Sequence, residues 1–301
     1  MKPADRAAFF RSLPIQRRAG KGGGMAYRID RRGVLLGVAA LGVSGGARAA
    51  APFASRRIAV TVRGSGADVL LIPGLASGPG AWSGVVAALP AYRFHLVQVR
   101  GFAGLGAEAN ASGAVVQPVA DEIARYIGAA GLRRPSVVGH SMGGTLAMML
   151  GLKEMAGRVM VVDMLPAGAA MVGGTASGLG FLANQLGGYL TGTAAGRRYL
   201  AQMVAQAPGA QGSDPDVIAN ALRDLANVDL EPQLPRLSVP LEVVYAVGDD
   251  AQMNAAINAR FRTAYAGKKG TALRPIGPSG HMVMRDQPAR FAALLKAFLG
   301  G

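Results

Sequence analysis

The sequence predicts an α/β protein, with a mostly parallel central sheet flanked by helices. Two observations carry that expectation. Short β-branched runs alternate with amphipathic stretches at the spacing of β-α-β crossovers. One of those runs, Asp68-Val69-Leu70-Leu71-Ile72, is almost continuously apolar, as a strand buried on both faces of a parallel sheet would be. A third observation says where the chemistry lies. Gly139-His140-Ser141-Met142-Gly143 stands where a short strand turns abruptly into a helix. At such a turn a serine is held in a strained conformation with its hydroxyl clear of the sheet, and the following helix aims its N–H groups where negative charge would develop. Gly42-Val43-Ser44-Gly45-Gly46 fits the same G-x-S-x-G pattern but precedes no helix.

Length and composition allow one domain or two. The chain has 301 residues, 50% of them hydrophobic, enough to bury a sizeable core. The formal charge of +15 is unevenly spread, because residues 1–49 hold ten Lys or Arg and two Asp. The rest carries no long basic run, and aromatics are only 6%, which argues against nucleic acid as a partner. Without cysteine there are no disulfides or thiolate metal sites. No metal-ligand pattern, phosphate-binding loop or cofactor motif stands out.

Residues 26–49 read as a targeting segment. A basic region ends in Arg31-Arg32, an apolar stretch runs from Gly33 to Val43, and Ala47-Arg48-Ala49 has the small-x-small shape of a cleavage site. The apolar stretch is too short to span a bilayer, which needs about 20 residues. Asp30 to Leu35 resembles a twin-arginine export signal. Export to the periplasm or beyond, through the export machinery and with cleavage near Ala49, is therefore expected. Met25 is a candidate true start, and residues 1–24, rich in Arg, Lys and Gly, are expected to be disordered.

The domain then occupies residues 50–301. Arg57 to Arg63 alternates as an edge strand, and Asp68 to Ile72 follows as a buried one. The glycine-rich loop Pro73-Gly74-Leu75-Ala76-Ser77-Gly78 comes next. Its backbone could approach a substrate oxygen, making the Leu75 N–H half of a candidate oxyanion hole and the Met142 N–H the other half. Trp82 to Leu89 reads as a helix, Tyr92 to Val99 as a strand and Val115 to Ala130 as an amphipathic helix. The strand at Arg158 to Val162 ends in Asp163. Residues 167–235 break the alternation, with helical patches at Leu179 to Leu190, Gly196 to Gln206 and Asp214 to Leu225, and read as a helical lid. Met171, Leu179, Phe181, Leu182 and Leu186 are candidates for an apolar acyl pocket or for the lid's own core. Leu241 to Ala246 resumes the strands, ending in Val247-Gly248-Asp249-Asp250. A helix from Met253 to Tyr265, a strand from Thr271 to Ile276, the loop Gly277-Pro278-Ser279-Gly280-His281 and a closing helix from Gln287 to Leu299 complete the chain.

A serine needs a base to become a nucleophile at neutral pH. The chain has three histidines. His140 adjoins the serine, where the turn should point its ring away, and His95 lies inside a strand. His281, on a loop past a late strand, is the candidate base. A carboxylate must then hold the imidazole's tautomer. Asp250 is the first candidate and Asp249 the second.

The order Ser141, Asp250, His281 and the surrounding segments resemble an α/β-hydrolase-fold serine hydrolase of the esterase or lipase type. The resemblance covers nearly all of residues 57–300. It rests on Leu71-Ile72-Pro73-Gly74, Val138 to Gly144, Val247-Gly248-Asp249-Asp250 and Gly280-His281. It implies Ser141 as nucleophile, His281 as general base and then acid, and Leu75 and Met142 as oxyanion-hole donors. It further implies cleavage of a carboxylic ester with an apolar acyl part, without a cofactor. Family members commonly carry His-Gly where this chain has Pro73-Gly74, and often place the acid at the position held here by Ala251; some place it after the strand that follows the serine turn, which makes Asp163 a third candidate. Amide, lactone and perhydrolysis chemistry, or a binding protein that has lost turnover, are the alternatives the same framework admits.

Overall fold

The computed structural model describes residues 53–168, 193–206 and 209–300. The export segment, the apolar candidates Met171 to Leu186 and the helix expected at Leu179 to Leu190 lie outside them. Every strand and helix expected elsewhere is present, with ends shifted by a residue or two. The strands are β1 (Ile58–Arg63), β2 (Ala67–Ile72), β3 (Tyr92–Val99), β4 (Ser136–His140), β5 (Arg158–Val162), β6 (Leu241–Ala246) and β7 (Ala272–Ile276). The helices are α1 (Ser83–Ala88), α2 (Val116–Ala129), α3 (Met142–Leu152), α4 (Ala194–Ala205), α5 (Pro215–Asn227), α6 (Ala251–Ala264), α7 (Val283–Asp286) and α8 (Pro288–Leu299).

The strands form one sheet in the order β1-β3-β2-β4-β5-β6-β7. β1 runs antiparallel on its edge, and every other pairing is parallel. Successive strand residues face opposite sides, so the apolar runs feed two cores. Leu70, Ile72, Val137, Val159, Val161 and Val243 face one core, which is covered by α2, α3, α5 and α6. Val69, Leu71, Val138, Met160, Val162 and Val244 face the other, with Trp82, Phe291 and Leu295 from the side of α1 and α8. Each fully buried side chain of this kind contributes about 1.5–3 kcal/mol through water exclusion. Burial on both faces explains why the inner strands read as continuous rather than alternating apolar runs.

α3 is buried on all sides, from Met142 through Gly151. A helix with no wet face carries no amphipathic stripe, and its position behind β4 puts the serine turn at the middle of the sheet's carboxyl edge. Residues 193–235 are joined closely to the rest of the domain. α4 and α5 pack on each other. Asp224 at the end of α5 accepts hydrogen bonds from the Val115 and Val116 N–H groups at the start of α2, at 2.6 and 3.1 Å. The Asp214 N–H donates to the Gly101 carbonyl at 2.7 Å, and Ala167 bridges to Asp229. Among the described residues, no helix is long and apolar enough to cross a membrane.

Candidate functional site

Ser141 stands between β4 and α3 with φ 52 and ψ −122. A non-glycine residue held there stores roughly 1–3 kcal/mol of strain, which the surroundings must outweigh. They do so with backbone bonds. The Ser141 N–H donates to the Val162 carbonyl at 2.9 Å, and the Ser141 carbonyl accepts from Gly144 and Thr145 at 2.7 and 3.3 Å. The flanking glycines allow the chain to double back. A Cβ on Gly139 would lie 1.9 Å from the Gly143 carbonyl oxygen, and one on Gly143 would lie 2.2 Å from the Ile72 oxygen.

The Pro73–Gly78 loop crosses directly beside this turn, for a Cβ on Gly74 would meet the Ser141 Cβ at 3.1 Å and His140 Nδ1 at 2.9 Å. Gly74 to Ser77 closes a tight turn, with the Ser77 N–H on the Gly74 carbonyl at 3.1 Å and Ala76 at φ 57. No backbone carbonyl of the described residues accepts from the Leu75 N–H. The Met142 N–H opens α3, where first-turn donors have no partner within the helix. Ser213 braces the loop from far away in sequence. Its hydroxyl donates to the Ala76 carbonyl at 3.0 Å and accepts from the Ala103 N–H at 2.8 Å.

His281 reaches this edge from the loop after β7, its side chain 21% exposed. Its Nδ1 lies 2.7 Å from Asp163 Oδ2. A carboxylate accepts, so Nδ1 donates and the lone pair resides on Nε2. Asp163 is the third of the three carboxylates expected from the sequence, and it is 2% exposed. Its backbone has φ 50, a region aspartate tolerates better than most residues. Its N–H donates to the Val244 carbonyl at 2.7 Å, and its Oδ1 accepts from the Ala246 N–H at 3.1 Å. Strand register explains the pairing. His140 on β4 is matched with Val162 on β5, so the residue after each strand, Ser141 and Asp163, emerges side by side at one edge.

The first-choice acid, Asp250, is engaged elsewhere. It is exposed, and its Oδ1 accepts from the Met253 N–H at 2.7 Å as the N-cap of α6. Asp249 is exposed beside it. Both follow β6, one strand farther from the serine than Asp163.

The His140 ring is turned inward, not away. It is 2% exposed, its centroid lies 4.5 Å from that of His281, and its Nε2 is 2.8 Å from the His281 carbonyl oxygen. Burial, with the neighbouring His281 as a second cause, pushes its pKa down to about 3. His95 is satisfied on both ring nitrogens, at 2.6 Å from the Tyr126 hydroxyl and 2.8 Å from Asp68 Oδ1.

A cleft of about 620 Å³ opens beyond the Pro73–Gly78 loop, lined by Ser77 to Ala81, Gln98, Met282, Met284 and Arg285 among others; Ser141, Asp163 and His281 are not part of its lining. Room of that size suits a small-molecule substrate. The described residues contain no cluster of His, Asp or Glu able to hold a metal ion.

Comparison with known proteins places the fold. A family model described as the alpha/beta hydrolase family matches residues 69–294. No curated protein matches the chain. Among solved structures, an enol-lactonase from Burkholderia xenovorans LB400 superposes with a TM-score of 0.61 at 17% identity, covering 81% of this chain and 96% of its own. An esterase from Thermogutta terrifontis gives 0.59 at 19%, covering 80% and 92%. A hydrolase from Pseudomonas aeruginosa PA01 gives 0.58 at 19%, covering 81% and 94%.

Proposed function

The chain belongs to the alpha/beta hydrolase family, and we propose that within it the protein is a serine hydrolase that cleaves carboxylic esters through an acyl-enzyme. The observation that carries this reading is the Asp163–His281 hydrogen bond beside a strained serine turn. Asp163, in place of Asp250, is the acid of the proposed triad.

In this mechanism His281 Nε2 takes the Ser141 proton as the hydroxyl attacks the substrate carbonyl. The imidazolium that forms is stabilised by Asp163, whose second oxygen stays bonded to the Ala246 N–H. The oxyanion is received by the Leu75 and Met142 N–H groups, with the positive end of α3 behind them. His281 then gives its proton to the departing alcohol, and water attacks the acyl-enzyme by the same route in reverse. A lactone, being an internal ester, is open to the same attack, and an enol-lactonase is among the structural neighbours. Export, with cleavage near Ala49, is part of the reading and rests on the Arg31-Arg32 segment.

The test is Ser141→Ala assayed on short p-nitrophenyl esters. Turnover should vanish while the melting temperature is unchanged or rises, since the change removes only a hydroxyl. Ester hydrolysis retained by the variant would overturn the assignment.

A further inference from the structure

Within that serine-hydrolase reading, we propose that His140 is a positioning residue whose Nε2–H, bonded to the His281 carbonyl, holds the base in register with the serine. The bond joins residues 141 positions apart at 2.8 Å. A carbonyl oxygen only accepts, so Nε2 carries the proton. A ring with its pKa near 3 is neutral at working pH, which leaves Nδ1 as a bare lone pair. That nitrogen is buried and, among the described residues, has no partner. A buried polar atom left unsatisfied lowers stability, and an apolar side chain of similar volume would remove that cost. The ring therefore stands where stability alone would not place it.

Its surroundings account for it. His140 is covalently joined to Ser141, and Nδ1 lies 2.9 Å from where a Cβ on Gly74, in the oxyanion loop, would be. Its Nε2 grips the main chain of the base. One neutral ring thus touches all three parts of the proposed machinery. The restraints on His281 come in two kinds. Asp163 orients the imidazole through Nδ1, while the His281 peptide itself is held, among the described residues, by His140. The rest of the loop is tied down separately, with the Gly280 N–H on Asp286 Oδ2 at 2.9 Å and the Ser279 N–H on the Val247 carbonyl at 3.0 Å. A neutral donor is also the right kind of donor here. A lysine or arginine in its place would put a permanent cation beside the imidazolium that forms on His281.

The experiment compares His140→Gln, His140→Asn and His140→Phe. The glutamine amide nitrogen reaches roughly where Nε2 stands and keeps a neutral donor. Asparagine is too short to reach, and phenylalanine keeps the ring without the donor. We expect His140→Phe and His140→Asn to lose kcat on a short neutral ester by about 10- to 100-fold, the scale of a misplaced catalytic group, with KM nearly unchanged. His140→Gln should recover most of the loss, and fluorophosphonate labelling of Ser141 should slow in the same order. A readout independent of turnover uses protein ¹⁵N-labelled at its three histidines. His140 should show the Nε2–H tautomer. The low-field Nδ1 proton of His281, bonded to Asp163, should persist in His140→Gln and broaden or vanish in His140→Phe. Folded His140→Phe with wild-type kcat and an intact low-field proton would overturn the proposal, as would an Nδ1-protonated His140. His140→Gln as impaired as His140→Phe would also overturn it, because ring packing would then be the operative feature. An unlabelled Ser141 in the wild type would count against the hydrolase reading, and the spectra would still decide the role of His140.

Discussion

Replacing Asp163 by asparagine separates the proposed acid from every other carboxylate near the site. In the wild type one oxygen accepts from the Ala246 N–H at 3.1 Å and the other from His281 Nδ1 at 2.7 Å. An asparagine has only one acceptor atom. If its oxygen keeps the Ala246 bond, its amide N–H faces His281, and the imidazole must offer Nδ1 as acceptor. The ring proton then moves to Nε2, which can no longer take the Ser141 proton as the proposed mechanism requires. Holding the wrong tautomer costs on the order of 10³- to 10⁴-fold in kcat. At 1.36 kcal/mol per tenfold, this is about 4–5 kcal/mol of transition-state stabilisation. The volume is unchanged, so the variant should fold. Asp250→Ala provides the contrast, since it removes the cap on the Met253 N–H. That loss should cost about 1 kcal/mol of stability, or roughly 2–4 °C in Tm for a domain this size, and leave kcat near wild type. The assay is kcat and KM on a p-nitrophenyl ester, with thermal unfolding of each variant. An Asp163→Asn enzyme within tenfold of wild type, together with an Asp250→Ala enzyme reduced by about 10³, would refute the assignment.

Other perturbations test the framework around the site. Gly139→Ala should destabilise by several kcal/mol or prevent folding, because its Cβ would stand 1.9 Å from the Gly143 oxygen, whereas Gly80→Ala, with none of the described residues within 4 Å of its Cβ, should change stability by less than about 0.5 kcal/mol; urea unfolding distinguishes them. Tyr265→Phe should cost about 1–2 kcal/mol by removing the buried hydroxyl that donates to the Met164 carbonyl at 2.7 Å, and should lower kcat modestly because Met164 directly follows Asp163. Asp68→Asn should alter acid stability at the far edge of the sheet. Hydrogen bonds from Arg93, and His95 after it, hold the Asp68 carboxyl below its ordinary value of 3.8. The contribution is therefore complete above about pH 4 and lost as pH falls through the lower folded value, so the gap between variant and wild-type urea midpoints should close on acidification.

How much of this was legible in the sequence follows from the range of the interactions involved. Ser141 could be read because the strained turn, its glycines and the helix behind it occupy a few consecutive residues. The strands could be read because burial on two faces leaves a purely apolar run, as in Val69 to Ile72. Asp163 was visible only as one of three carboxylates, since the choice depends on where the His281 loop lands across the sheet. The β4–β5 register, which sets residue 163 beside residue 141, decides the pairing. Asp250 stands just past a strand end in the order nucleophile, acid, base, but the start of α6 uses it as a cap. The inward turn of the His140 ring is not legible locally, because it depends on the His281 loop that closes over it, 141 positions away. Ser213 left no signal, its bond to the Ala76 carbonyl spanning 137 positions of sequence.

The central claim is that Ser141 is an activated nucleophile served by His281. Purified protein from Ala50 onward, treated with a fluorophosphonate and digested for mass spectrometry, tests it directly. The account predicts a single adduct on Ser141 that disappears in His281→Ala and is strongly slowed in Asp163→Asn. A folded wild-type protein that takes up no label at Ser141, or labels there equally well without His281, would contradict it.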